Sequence, residues 1–211
     1  VTTLSGLRTV VYRLLSDTDQ VQFDADFVDD GIRAALFAIL PWLFKRKQVS
    51  FAADGETTEF TLPTDLYMII SVFDADSGIY LKKNTLSAGM SPGSDLETNQ
   101  DWLEYQEGSI TFANAPEEDP IAYYGAYWDI PTADADVLEP PIWSHTALAY
   151  YAASYALLQK ASAASNIRQW NVEVDSGTPA MNPMRDMSSY YLDRFRIEMD
   201  RIPSRPRGVH G

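Results

Sequence analysis

The sequence has no cysteine and only two histidines, His145 and His210, among its 211 residues. Without cysteine there are no disulfides and no thiolate metal sites, which is compatible with folding in a reducing cytoplasm. The two histidines stand far apart in sequence, outside any HxxxH or HExxH spacing, and His145 reads as a cap or packing residue at the start of a helix. No GxSxG nucleophile elbow and no glycine-rich phosphate loop occurs. AspAlaAsp appears at 24–26, 74–76 and 134–136, each time without the glycine and terminal glutamate of an EF-hand loop. No apolar run approaches the ~20 residues that span a bilayer. The first residues lack a charged segment followed by an apolar one, so no secretory signal is expected. Together these absences point away from an enzyme, a bound cofactor, a metal and a membrane.

What is present is an order of segments: a helix pair, a β-rich block and a second helix pair. Leu4, Leu7, Val11, Leu14 and Leu15 form one stripe of a short helix that SerAspThrAsp at 16–19 ends. A second helix starts near Asp24. Asp24, Asp26, Asp29 and Asp30 crowd its first turns, where each carboxylate complements the helix dipole by about 0.3–1 kcal/mol. Phe27, Val28, Ile32, Ala35, Leu36, Ile39 and Leu40 supply its buried face, and Pro41 breaks the pattern. Lys45, Arg46 and Lys47 follow. As a trio they read either as charges serving the helix terminus or as a contact for a partner.

Strands are predicted at 48–53, 57–62, 66–74, 79–82, 102–106, 109–113 and 120–128. Asp54-Gly55 lies between the alternating pairs Val49/Phe51 and Phe60/Leu62, the signal for a two-residue hairpin. Leu66–Phe73 is nearly all apolar and predicts a strand covered on both sides, whereas Ser109–Phe112 alternates as a one-sided strand does. Residues 87–101, rich in Gly, Ser, Pro and acids, read as a long exposed loop. A linker at 129–141 carries Pro131, Pro140 and Pro141. Trp143 to Ala164 then reads as a helix that is apolar almost all round and central to its bundle. A last helix runs from about Met184 to Ile202 with Met184, Met187, Tyr191, Phe195, Met199 and Ile202 on one face and Asp193, Arg194, Arg196, Glu198 and Asp200 on its polar face. The fold expected is α+β: a helical bundle formed by the N- and C-terminal helix pairs (1–47 and 142–202), an inserted antiparallel β domain (48–128), the linker, and an extended tail at 203–211.

Charge is segregated. Residues 1–140 hold 24 acids against 8 bases, while 141–211 hold 6 acids against 8 bases, within a total of −14. The last eleven residues carry Arg201, Arg205 and Arg207 and no acid. Tight binding to DNA draws on several Lys/Arg–phosphate contacts, and this balance opposes it.

Three stretches resemble the head–tail adaptor (connector, or neck) proteins of tailed double-stranded DNA bacteriophages. They are the N-terminal helix pair, LeuArgThrValValTyrArgLeuLeuSerAsp with PheAspAlaAspPheValAspAspGlyIleArgAlaAlaLeu; the opening of the β block, AspGlyGluThrThrGluPheThrLeuProThrAspLeu; and the return, IleAlaTyrTyrGlyAlaTyrTrp, with the TyrTyrAlaAlaSerTyrAlaLeuLeu helix. The long 87–101 loop and the well-developed β block depart from the smallest adaptors. The resemblance implies a homo-oligomeric ring, commonly of twelve subunits, in the neck of a virion made in the host cytoplasm. Its implied partners are the portal protein above and a stopper or tail protein below, with double-stranded DNA passing through the channel without specific binding. It further implies that a C-terminal segment, here Arg201 to Gly211 with Pro203, Arg205, Pro206, Arg207 and His210, reaches the portal. An acidic channel wall repels phosphate and lets DNA pass.

Two other readings compete. A β-sandwich carbohydrate- or peptide-binding module would use Trp102, Tyr105, Tyr123, Tyr124, Tyr127 and Trp128 as a stacking surface. A carboxylate hydrolase would use a pair such as Asp101 and Glu104, although thirty acids make some close pairing almost inevitable.

Overall fold

A computed structural model describes residues 2–75, 78–84, 101–104, 108–112, 114–169 and 183–201. The chain is α+β and divides into two compact units, one of residues 1–43 with 128–211 and the other of Phe44–Tyr127.

The first unit holds α1 (Leu4–Leu14), α2 (Ala25–Ala38), α3 (His145–Gln169) and α4 (Pro183–Asp200). Thr3 caps α1 by accepting from the Gly6 N–H at 3.2 Å, and Asp24 caps α2 by accepting from Phe27 N–H at 2.8 Å. Between them the chain turns through Ser16 and Gln20, both at positive φ, where a side chain is unfavourable. The buried Asp17 carboxylate holds this turn by accepting from the N–H groups of Val21, Gln22 and Phe23. Leu4, Leu7, Val11, Val28, Ile32, Leu36 and Ile39 face one core with α3.

α3 is lined by Ala147, Ala149, Ala152, Ala153 and Ala156, all fully buried, so its neighbours approach closely. A Cβ added to Gly31 on α2 would stand 2.9 Å from the Ala152 carbonyl oxygen. On α4, Ser188 and Ser154 of α3 exchange bonds, each hydroxyl donating to the other's backbone carbonyl at 2.9 and 2.8 Å. The Tyr191 hydroxyl donates to the Leu14 carbonyl and ties α4 to the end of α1. The segment expected as a linker is pinned down: Thr3 bridges Val137, Leu4 N–H donates to the Asp136 carbonyl, and Leu138 N–H donates to that of Thr2. Arg8 completes the attachment. It forks onto Asp29 of α2 at 2.7 and 2.8 Å and reaches Asp134 at 3.0 Å. Flanked by these two carboxylates, the guanidinium holds its proton more tightly than usual.

In α4, Ser188, Tyr191, Phe195 and Met199 are buried. Met187, expected on this face, is instead 44% exposed. It sits about a quarter of a turn from the centre of the buried stripe, at its outer margin.

Among the described residues, the second unit forms a sheet of seven strands: β1 (Lys45–Ser50), β2 (Glu59–Thr61), β3 (Leu66–Asp74), β4 (Ile79–Asn84), β5 (Asp101–Glu104), β6 (Ser109–Phe112) and β7 (Ile121–Ala126). Their order is β1-β7-β3-β4-β5-β6-β2. Every adjacent pair is antiparallel except β4 and β5, which run parallel, so the sheet is mixed and not antiparallel throughout. A parallel pair needs a connection of a dozen residues or more, and the stretch between Asn84 and Asp101 has that length.

The expected Asp54-Gly55 hairpin is not formed. β1 pairs with β7 and β2 with β6, so the turn joins the two outer strands of the sheet. Gly55 does take a positive φ of 72°, and the Asp54 carboxylate accepts from the N–H groups of Glu56 and Thr57 and from the Thr57 hydroxyl. The local turn chemistry is correct; the pairing is decided elsewhere. Phe51, Phe60 and Phe112 gather at 5.4–6.4 Å between ring centroids, bringing the ends of the sheet together over a core of Leu62, Ile69, Val72, Trp102, Ile110 and Ala122. β3 is covered on one side and not on both: Ile69 and Val72 face this core, while Met68 and Ile70 are 42% and 43% exposed. Met68 and Ile70 flank Ile69 and so fall on the outer side by simple alternation, and the register shift between Ile69 and Ser71 returns Val72 to the core side.

Candidate partner-binding surfaces

Lys45, Arg46 and Lys47 lie in β1, well past the end of α2 at Ala38, so they do not serve the helix terminus. Strand alternation also separates them, with Arg46 exposed and Lys45 and Lys47 half-buried on the other side. Lys47 Nζ meets the Asp65 carboxylate at 2.5 Å, and Asp65 also accepts from the Tyr124 hydroxyl at 3.2 Å. These bonds to the ionised form, that from Lys47 foremost, hold the Asp65 carboxyl below its ordinary pKa. Burial beside that carboxylate pushes the Tyr124 hydroxyl up. Of the trio, only Arg46 is exposed.

Arg201 follows the last turn of α4 and pairs with Glu198 at 2.8 Å. Pro203, Arg205, Pro206, Arg207 and His210 lie outside the described residues, as do residues 87–100 of the expected loop; Asp101 opens β5. His145 is buried at the start of α3, with Nε2 2.8 Å from the Pro140 carbonyl oxygen, a packing role.

The aromatic residues of the binding-module reading are not gathered on one face. Trp102 and Tyr124 are buried, Tyr127 stands edge-on to Tyr67 within the sheet unit, and Trp128 belongs to the helical unit, where its indole N–H donates to the Leu43 carbonyl. Tyr123 is half-buried on the side opposite Tyr124, and Tyr105 is outside the described residues. Asp101 and Glu104 fall at the two ends of β5.

A depression of about 160 Å³ opens beside the start of α2, lined by Gln22, Phe23, Asp24, Phe27, Gln159 and Lys160. Lys160 fills much of its chemistry already: its ammonium lies 4.4 Å from the centre of the Phe23 ring and donates to the Gln22 carbonyl at 2.8 Å. Small-molecule sites usually enclose roughly 300–1,000 Å³. Among the described residues, no group of three or more His, Asp or Glu is placed to hold a metal ion, and no helix is long and apolar enough to cross a membrane.

Two features of the site map were not predicted. One is the Arg8–Asp29–Asp134 network. The other is a second stripe on α4, exposed, of Met187, Tyr190, Arg194 and Ile197, whose i, i+3, i+7, i+10 spacing was present in the sequence beside the stronger buried stripe.

No protein-family model matches the sequence, and no curated protein is similar to it.

Proposed function

We propose that this chain is a non-enzymatic structural subunit of a phage neck, forming a ring that joins the portal vertex to the tail and extends the DNA channel. One observation carries the reading: the two ends of the chain, 1–43 and 128–211, build one compact unit, and the stretch between them builds another. In this reading the first unit is the ring-forming bundle and the second is the inserted β domain. Charge segregation adds support, because an acidic body lets DNA slide past while a basic end seeks an acidic partner. Exposed ion pairs contribute only about 0.2–1 kcal/mol each, yet a ring that offers the same end many times binds at high effective concentration. Arg201, Arg205 and Arg207, with Pro203, Pro206 and His210, are then the portal-seeking tail. Arg46 is what remains of the β1 trio as a partner contact.

The test is the mass of the purified chain, alone and mixed with portal rings of tailed phages, beside a truncation ending at Ile202. A ring, or saturable portal binding that disappears with the tail, is the expected result. A stable monomer that ignores every portal ring overturns the reading.

A further inference from the structure

We propose that the outward stripe of α4 (Met187, Tyr190, Arg194 and Ile197), continued by Arg201 just past its end, is a docking surface for a second copy of this chain, which meets it with the acidic start of its own α2. The inference rests on the ring reading and names the surfaces that would build the ring.

α4 is apolar along two lines. One, through Ser188, Tyr191, Phe195 and Met199, is buried. Along the other, Met187, Tyr190 and Ile197 are 44%, 52% and 43% exposed, and Arg194 and Arg201 fall in the same line at helical spacing. A surface helix needs one apolar stripe to fold; a second, rimmed by charge, marks an interaction surface. Tyr190 and Arg194 are already set in place. The Arg194 Nε–H donates to the Tyr190 hydroxyl at 3.1 Å and the guanidinium lies 5.2 Å from the ring centre. Tyr and Arg are frequent anchors of interfaces, and a pre-set pair loses less freedom on docking. The acids along the margins are neutralised in part within the helix, Asp193 by Arg196 and Glu198 by Arg201.

Charge selects the occupant. Copies of a chain with net charge −14 repel one another unless unlike patches meet. Asp19, Asp24, Asp26 and Asp30 are exposed around the start of α2; Asp24 caps the helix and Asp30 pairs with Arg33, so Asp19 and Asp26 lead the acidic patch that complements Arg194 and Arg201. α2 and α4 both pack on α3 and scarcely on each other, so the two patches occupy different flanks of one unit. Contact between unlike flanks is heterologous: it propagates from copy to copy and closes into a ring when the rotation per copy allows. The apolar residues supply buried area, and the charges set register and choice of partner.

Full-length chains with Arg194→Glu/Arg201→Glu and with Asp26→Arg/Asp30→Arg test this by light scattering over a concentration series at low and high salt. Far-UV circular dichroism and melting confirm that each remains folded. Each variant should need at least about tenfold more protein than the wild type to assemble. Mixed one to one, they should assemble again, because each then meets a complementary neighbour on both flanks. Ile197→Glu, which leaves both arginines in place, should also weaken assembly. Variants that assemble like the wild type, or a mixture that stays apart, overturn the docking surface while leaving the ring reading standing. A wild type that is monomeric at millimolar concentration and low salt also overturns it; the ring reading is then judged separately, by saturable binding to portal rings.

Discussion

In the helical unit small residues bring two helix pairs close together: Gly31 against Ala152, and Ser154 against Ser188. In the β unit the same closing role falls to large rings, Phe51, Phe60 and Phe112. The two solutions fail in opposite ways. A seam of small residues brings backbones together and has no room for an added methyl, while a ring cluster fills space and suffers most when a ring is removed.

The largest effects should therefore come from truncation. Phe112→Ala in the β unit should cost about 3–5 kcal/mol, and Leu148→Ala, fully buried on α3, about 2–5 kcal/mol. Followed by urea unfolding with probes in each unit, the two variants also test whether the units are independent. Two transitions, each moved by one variant alone, would mark separately cooperative units; one transition moved by both would mark a single cooperative body. Next in size is growth in the helical seam. Helix propensity alone favours alanine over glycine by about 1 kcal/mol. Gly31→Ala should nonetheless destabilise, by about 1–3 kcal/mol, because its methyl meets backbone of α3 that cannot swing aside. A gain of stability at this position would remove the small-residue seam from the comparison.

Much of this architecture is legible from periodicity. The bounds predicted for β3, 66–74, coincide with those found, and the buried face of α2 is read correctly through Val28, Ile32, Ala35 and Leu36. What fails is whatever depends on residues distant in sequence. Asp54-Gly55 makes its local turn, but the long-range pairing of β1 with β7, from Ser50 with Ile121 to Lys45 with Ala126, decides that no hairpin forms. The parallel pairing of β4 with β5 is set by strand order, on which the alternation within each strand is silent. The run Leu66–Phe73 looks doubly covered because an apolar strand with register shifts and one with two buried faces share a composition. Lys47 shows no sign in the sequence that its partner is Asp65, and Arg8 none that it joins Asp29 to Asp134. Met187 groups by spacing with Tyr191 and Phe195 yet stands exposed, because two apolar lines run along one helix and composition does not separate them.

The smallest predicted effect concerns pH and falls on the β unit. Asp65 is held below its ordinary pKa by Lys47, and Asp54 is held at about 2 by the Thr57 hydroxyl and the Thr57 and Glu56 N–H groups. Both folded carboxyls thus bind a proton less tightly than the unfolded chain, whose aspartates titrate near pH 4. Their contribution to stability is full above that pH, shrinks as the pH falls through it, and is gone below the folded values. Acidification from about pH 5 toward pH 2 should therefore lower the unfolding midpoint of the β unit, and Asp65→Asn should flatten that slope while lowering stability at neutral pH. Lys47→Met should flatten it too, since the ammonium is the first cause of the shift. If neither substitution changes the slope in this window, the Lys47–Asp65 pair is a surface contact without weight. The β unit would then be held by its strands and apolar core without help from that pair, a sharper contrast with the helical unit and its Arg8–Asp29 fork.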